Sequence, residues 1–269
     1  MKQGGLQNPA SFCVITIRTI ESMKESEMIF GMRAVMEALQ GDKEIDKILI
    51  KRDLQGGLYK ELMDALKDRN IAVQRVPMER LDRYTHKKHQ GVIAFISAVS
   101  YEKLENIIPM LYEDGKNPFI VLLDGVTDVR NFGAIARTCE CAGVNALVIP
   151  SRGSVTVNAD AMKTSAGALL TLPFCKEQSI PDAIVFLKNS GVKVVVATEK
   201  AEEVYTSAPL DGPIAIVMGA EETGVSPENI RIADLLVRIP QFGTIGSLNV
   251  SVASSILIYE VIRQRSLLK

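Results

Sequence analysis

The chain has 269 residues, with 47% hydrophobic and 23% charged residues, and its 31 basic against 32 acidic side chains leave a formal net charge of −1. Such a composition fills one large core or two modest ones and excludes a disordered, collagenous or coiled-coil chain. No apolar run approaches the roughly 18 residues of a membrane helix, residues 12–17 are too short for a signal peptide, and the scattered Cys13, Cys139, Cys141 and Cys175 suit a reduced, cytoplasmic protein rather than a disulfide framework.

Residues 1–27 have no stable hydrophobic period, and Met23 and Met28 both offer alternative starts, so the stretch reads as a disordered or mis-annotated extension. A regular pattern then begins. A helix is predicted over 30–39, stopped by Gly41, followed by a strand at 47–50 and a helix at 58–66. A strand at 71–76 ends at Pro77, and 91–96 is a buried strand run. Together, 28–98 form a small α/β unit. It holds 13 basic against 10 acidic residues, whereas 99–269 hold 15 against 19. That surplus suits a solvated face equally well, but it marks the part that would more readily meet a polyanion. Residues 99–117 mix charge with Pro109 and end in turn signals, so they read as a linker with some helix in 104–112. From 118 to 269, strands at 119–123, 146–149, 192–197, 214–218 and 235–239 alternate with helices at 134–142, 180–188 and 250–264. Near-continuous apolar strands of this kind form a parallel sheet covered on both faces. Such sheets bind ligands at the carboxyl ends of their strands.

Most catalytic signatures are missing. No G-x-G-x-x-G follows the first strand of either half, which disfavours a nucleotide-dependent oxidoreductase. Cys139 and Cys141 have no second pair, so no metal site is expected. His86 and His89 are the only histidines, which gives a hydrolytic triad little support. They flank Lys87 and Lys88 in either a plain polar loop ahead of a strand or an RNA contact made by the two lysines; Arg33 is a further candidate RNA contact. Three glycine-bearing polar segments follow strands, at 124–138, 219–226 and 239–253. Asn131, Glu221, Ser247 and Asn249 supply them with fixed hydrogen-bonding groups. Each alone could be a βα turn with a helix cap, as Asn249 would be. Three in one domain favour a shared binding site.

These three segments resemble, in order, the motifs of the SpoU/TrmH family of RNA ribose 2′-O-methyltransferases, most specifically in Ser247-Leu248-Asn249-Val250-Ser251-Val252-Ala253. Upstream, Ile29-Phe30-Gly31 and His89-Gln90-Gly91-Val92 look like the subgroup that methylates a guanosine of 23S rRNA. Glu222 departs from the glycine common after the motif-two glutamate, and Ala220 from the commoner asparagine. The resemblance implies a SPOUT-type parallel sheet with a trefoil knot, a homodimer whose sites are completed by the partner, and S-adenosylmethionine as cofactor. It further implies cofactor contacts at Thr198, Gly219, Ile239, Ser247 and Leu248, and a catalytic set of Asn131, Arg137, Glu221, Ser247 and Asn249. Arg137 would act either as base or as stabiliser of the developing alkoxide. With Asn131 in a loop and a helix starting near Gly133, Asn131 and Arg137 would border one pocket. The apolar breadth of 250–262 is in keeping with a dimer. A tRNA guanosine is the alternative target, and an inactive RNA-binding relative the alternative function.

Overall fold

The computed structural model describes residues 28–267 apart from 42, 43, 68, 70, 98, 156 and 158; the extension expected at 1–27 lies outside the described residues. Two sheets organise the chain. The first has four strands: β1 (Met28–Phe30), β2 (Ile45–Lys51), β3 (Ala72–Val76) and β4 (Val92–Ile96), in the order β1-β4-β2-β3. The β4 strand runs antiparallel to both β1 and β2, and β2 parallel to β3. Helices α1 (Met32–Gln40), α2 (Gly57–Leu66) and α3 (Met78–Asp82) complete this unit.

The predicted helix at 30–39 begins two residues later, because Ile29 and Phe30 pair with β4. Gly31, at φ +93°, makes the turn between strand and helix, a backbone region that favours glycine. The Gln90 side-chain oxygen accepts the Met32 N–H at 3.1 Å, so the turn ahead of β4 caps α1. Met32, Val35, Ala38 and Leu39 form its buried stripe, and the Gly41 N–H closes it on the Glu37 carbonyl at 3.0 Å.

The second sheet has six strands: β5 (Phe119–Asp124), β6 (Ala146–Pro150), β7 (Phe174–Glu177), β8 (Lys193–Ala197), β9 (Ile214–Gly219) and β10 (Leu235–Val237). All are parallel, in the order β10-β8-β9-β5-β6-β7. Side chains of successive residues alternate between its faces. One face, with Phe119, Val121, Leu147 and Ile216, packs under α5 (Val129–Cys141), α6 (Ala159–Thr164) and α9 (Val250–Ser266). The other, with Ile120, Leu122, Val148 and Val217, packs under α4 (Leu104–Glu113) and α7 (Ile180–Asn189), with α8 (Pro227–Ile232) at its margin.

The segment expected to be a linker therefore does more than connect. Leu104, Ile107, Ile108 and Leu111 repeat at helical spacing and are buried against the second sheet. Residues 159–164 and 227–232 are short polar helices without a legible apolar period, and β7 has four residues; these went unpredicted, as did β1 and α3. No helix among the described residues is long and apolar enough to cross a membrane.

Cys139 on α5 and Cys175 on β7 are buried thiols. Burial, followed by the carboxylates of Glu177 and Glu102, pushes the Cys175 thiol up to about 12, and burial pushes Cys139 upward as well. The thiolate is the reactive form. Iodoacetamide at pH 8 should therefore leave both cysteines unmodified in the native protein and alkylate them in denaturant, as peptide mass mapping would read.

Candidate active site

Asp124 and Gly219 are register partners at the carboxyl ends of adjacent β5 and β9. Both strands release their loops at the same edge of the sheet. The Asp124 carboxylate holds the β9 loop: Oδ2 accepts the Ser226 N–H at 2.7 Å and the Asn229 side-chain amide at 2.8 Å. Asn229 is buried, and its own Oδ1 has no partner among the described residues. The loop turns back so tightly that a Cβ on Gly219 would lie 2.0 Å from the Gly224 carbonyl carbon and 2.1 Å from the Val225 nitrogen. Only a residue without a side chain fits there. Asp124 and Asn229 were not singled out from the sequence; a carboxylate at a strand's carboxyl end, immediately before Gly125, was the available signal.

Asp128 caps α5, its Oδ1 accepting the N–H groups of Arg130 at 2.9 Å and Asn131 at 2.8 Å. The helix therefore starts at Val129, and Asn131 lies in its first turn instead of in the preceding loop. Its side-chain amide donates to Glu221 Oε2 at 3.1 Å, and its Oδ1 accepts from Asn249 Nδ2 at 3.0 Å. The Asn249 amide also reaches Glu221 Oε2 at 3.5 Å. The other end of Asn249 caps α9, accepting the Ser251 N–H at 3.0 Å and its hydroxyl at 2.6 Å. Asn249 is thus both a helix cap and a member of the cluster. Asn131, Glu221 and Asn249 join all three glycine-bearing segments in one hydrogen-bonded group.

Beside this group lies a cavity of about 330 Å³, lined by Thr198, Gly219, Glu221, Ile239, Ser247 and Leu248, with Met218, Val237, Val250 and Ala253 as its apolar wall. That is within the volume range typical of small-molecule sites. Glu199 and Glu222 add two further carboxylates to the lining. The loop that closes it exposes Phe242 to 97% and Ile245 to 78%. A larger open depression, about 660 Å³, lies along α3 at Pro77, Glu79, Arg80, Arg83 and Tyr84, but no comparable set of fixed polar groups converges there.

Arg137 departs from expectation. It is six residues beyond Asn131. With both on one helix, that separation means about 9 Å of rise and a turn of about 120° around the axis. Arg137 is exposed, is not among the cavity's lining residues, and its guanidinium makes no hydrogen bond or ion pair with the described residues. The chain's own fold does not bring it to the Asn131–Glu221–Asn249 group.

On the first unit, Arg33, Lys87 and Lys88 are exposed around the start of α1. Lys87 lies 5.7 Å from the Phe30 ring centroid. His89 is buried: Nδ1 accepts the Gly91 N–H at 3.1 Å, which leaves Nε2 to donate to Asp82 Oδ1 at 3.0 Å. It locks the turn that carries the lysines.

The fold and the site define an α/β protein whose parallel sheet carries a pocket at the carboxyl ends of its strands, preceded by a second, smaller α/β unit. The chain belongs to the SpoU rRNA methylase family, whose description matches residues 118–259, and is therefore an RNA methyltransferase; a second description, RNA 2′-O ribose methyltransferase substrate binding, matches residues 28–102. It is 30% identical to a TrmH family tRNA/rRNA methyltransferase, YacO, of Bacillus subtilis (strain 168), over 90% of this chain and 98% of that one. It is 34% identical to a TrmH family tRNA/rRNA methyltransferase of Staphylococcus aureus (strain MSSA476), over 90% and 97%. Among solved structures it is similar to an RNA 2′-O ribose methyltransferase, at 25% identity and a TM-score of 0.53, covering 99% of this chain and 100% of that one. It shares its fold with AviRb from Streptomyces viridochromogenes in complex with AdoMet, at 20% identity and a TM-score of 0.58, covering 94% and 98%.

Gly219→Ala forces a Cβ into backbone. The overpacking should cost about 3 kcal/mol, lowering the melting temperature by about 6–12 °C, a shift that differential scanning calorimetry would measure.

Proposed function

We propose that this protein transfers a methyl group from S-adenosylmethionine to the 2′-hydroxyl of a ribose in RNA, a guanosine of 23S rRNA, in the cytoplasm. The observation that carries this reading is the joining of Asn131, Glu221 and Asn249 beside a cavity lined by Thr198, Gly219, Ile239, Ser247 and Leu248. Those five residues suit the cofactor chemically. Apolar side chains offer a surface for an adenine ring, while Thr198, Ser247 and backbone groups freed by Gly219 offer hydrogen bonds to ribose and amino-acid portions. Bound there, S-adenosylmethionine supplies an electrophilic methyl group on a sulfonium.

The chain's own residues then have two tasks, alignment and charge management. Asn131 is held at both ends of its amide, so it offers the ribose a group of fixed orientation. Glu221 spends one oxygen on these amides and keeps the other for a cationic or hydroxyl partner. Asn249 holds the end of the closing loop to α9, and Ser247, in the cavity lining, offers its hydroxyl to the cofactor or the ribose. A guanidinium is a poor base because it keeps its proton throughout the working pH range. Arg137 therefore serves best as a charged fork that holds phosphate and stabilises the developing alkoxide.

A homodimer reconciles Arg137 with that role. Val252 and Tyr259 on α9, and Phe242 and Ile245 on the loop before it, are exposed apolar side chains that a second copy would cover, and Arg137 would reach the partner's pocket. The family implies a knotted crossing in this region, where the chain leaves β10 at the sheet's margin and α9 packs against α5 and β9. Arg33, Lys87 and Lys88 would hold the RNA backbone.

Labelled methyl transfer from S-adenosylmethionine to 23S rRNA, with 2′-O-methyl mapping in cells that have and lack the gene, tests the reading. One lost guanosine site in 23S rRNA is expected; a lost tRNA guanosine site instead would move the target, and no transfer would leave an RNA-binding relative. Arg137→Ala and Arg137→Lys should each lose at least 100-fold in turnover (the scale set by removing a transition-state donor), with cofactor affinity nearly unchanged in calorimetry. Allowing Arg137→Ala and Glu221→Ala protomers to exchange should restore about a quarter of wild-type turnover, since one site in each mixed dimer is intact. No recovery would place Arg137 and Glu221 in the same protomer's site.

A further inference from the structure

The two units meet at a buried ion pair that the methyl-transfer chemistry does not use. Asp46 on β2 of the first sheet and Lys176 on β7 of the second are 4% and 6% exposed at their side chains. The Lys176 ammonium donates to the Asp46 carboxylate and, at 2.9 Å, to the Asp46 carbonyl. Tyr101, from the segment between the units, donates its hydroxyl to the same carboxylate at 2.9 Å, and Lys176 lies 4.9 Å from its ring centroid. Burial, then the charge of Asp46, raises the Tyr101 pKa, so the hydroxyl stays a donor throughout the working pH range.

The tie continues inward. The neighbouring Glu102 bonds to β7, its N–H meeting the Phe174 carbonyl at 2.8 Å. The Tyr101 ring lies 5.3 Å from Phe174, and Phe174 lies 5.6 Å from Phe132, which follows Asn131 on α5. A crevice of about 290 Å³ flanks the pair, walled by Lys47 and Gln74 of the first unit and Ser151, Arg152 and Ser154 of the second. That second wall is the loop leaving the carboxyl end of β6, the edge of the sheet on which the pocket lies.

A buried ion pair is a poor source of stability, because desolvation offsets its attraction; an apolar pair of like volume often does as well. What it supplies is direction: two charges without water have one low-energy arrangement. We propose that Asp46, Lys176 and Tyr101 are positioning residues for RNA methylation, fixing the first unit relative to the second so that RNA held on the former delivers its ribose to the pocket of the latter. This rests on the function proposed above.

The test uses the full chain with Asp46→Leu and Lys176→Met together, which keeps the joint filled. Cofactor affinity should stay within twofold, and the KM for RNA within threefold, while kcat falls at least tenfold. Loss of fold alone would not split the constants this way. Spin labels at Glu61 on α2 and Val185 on α7, in a Cys13→Ser and Cys141→Ser background, report the distance between the units; electron–electron resonance should show a narrow distribution broadening in the double variant. An unchanged distribution, or unchanged kcat, overturns the proposal. If the unsubstituted chain transfers no methyl to RNA, the proposed function fails, and the distance distribution alone decides whether the pair fixes the two units. If the double variant does not fold, Tyr101→Phe removes only the hydroxyl and is read by the same two measurements, with a two- to fivefold fall in kcat expected and none overturning the idea.

Discussion

Parallel pairing of β5 with β9, which sets Asp124 opposite Gly219, is the constraint on which the site depends. Parallel strands deliver their connections to one edge, so the loops after β5 and β9 must share space there. The close approach at Gly219 and the Asp124 bonds to Ser226 and Asn229 are how the chain satisfies that crowding. The cavity is the space left over once those loops, and the stretch from β10 to α9, have packed.

Ordinary helix capping supplies the polar groups. Asp128 must satisfy the first N–H groups of α5, and in doing so it puts Asn131 in the first turn with its side chain toward Glu221. Asn249 must do the same for α9 with one end of its amide, and this aims the other end at Asn131. The local cost of leaving helix ends unsatisfied thereby sets the geometry of the group. The first unit repeats the device: Gln90 caps α1, and His89 braces the same turn, so the lysines stand beside a hydrogen-bonded turn.

The two units differ in how they are joined and how they are built. Each sheet has its own apolar core, and the cores do not merge. Polar contacts between Asp46, Lys176 and Tyr101 span the boundary, and a polar joint has a preferred direction that an oily one lacks. Apolar burial accounts for the existence of each unit; the ion pair accounts for their mutual arrangement.

The buried strand runs, the α1 stripe ended by Gly41 and the three glycine-bearing segments were legible in the sequence because each is written in neighbouring residues. So were Asn131, Glu221, Ser247 and Asn249, as polar groups beside glycine after a strand, and the five residues expected around the cofactor do line one cavity. Short elements without a period, β7, α6 and α8, were not legible. The direction of Arg137 followed from where α5 starts: the Asp128 cap moves the helix start to Val129 and turns Arg137 away from Asn131. The pairing of Asp46 with Lys176 links residues 130 positions apart, which no local pattern encodes. Periodicity and caps are properties of adjacent residues and are fixed by short-range sterics and hydrogen bonding. Which loops meet, and which charges find each other, depends on strand order, and only the folded chain decides that.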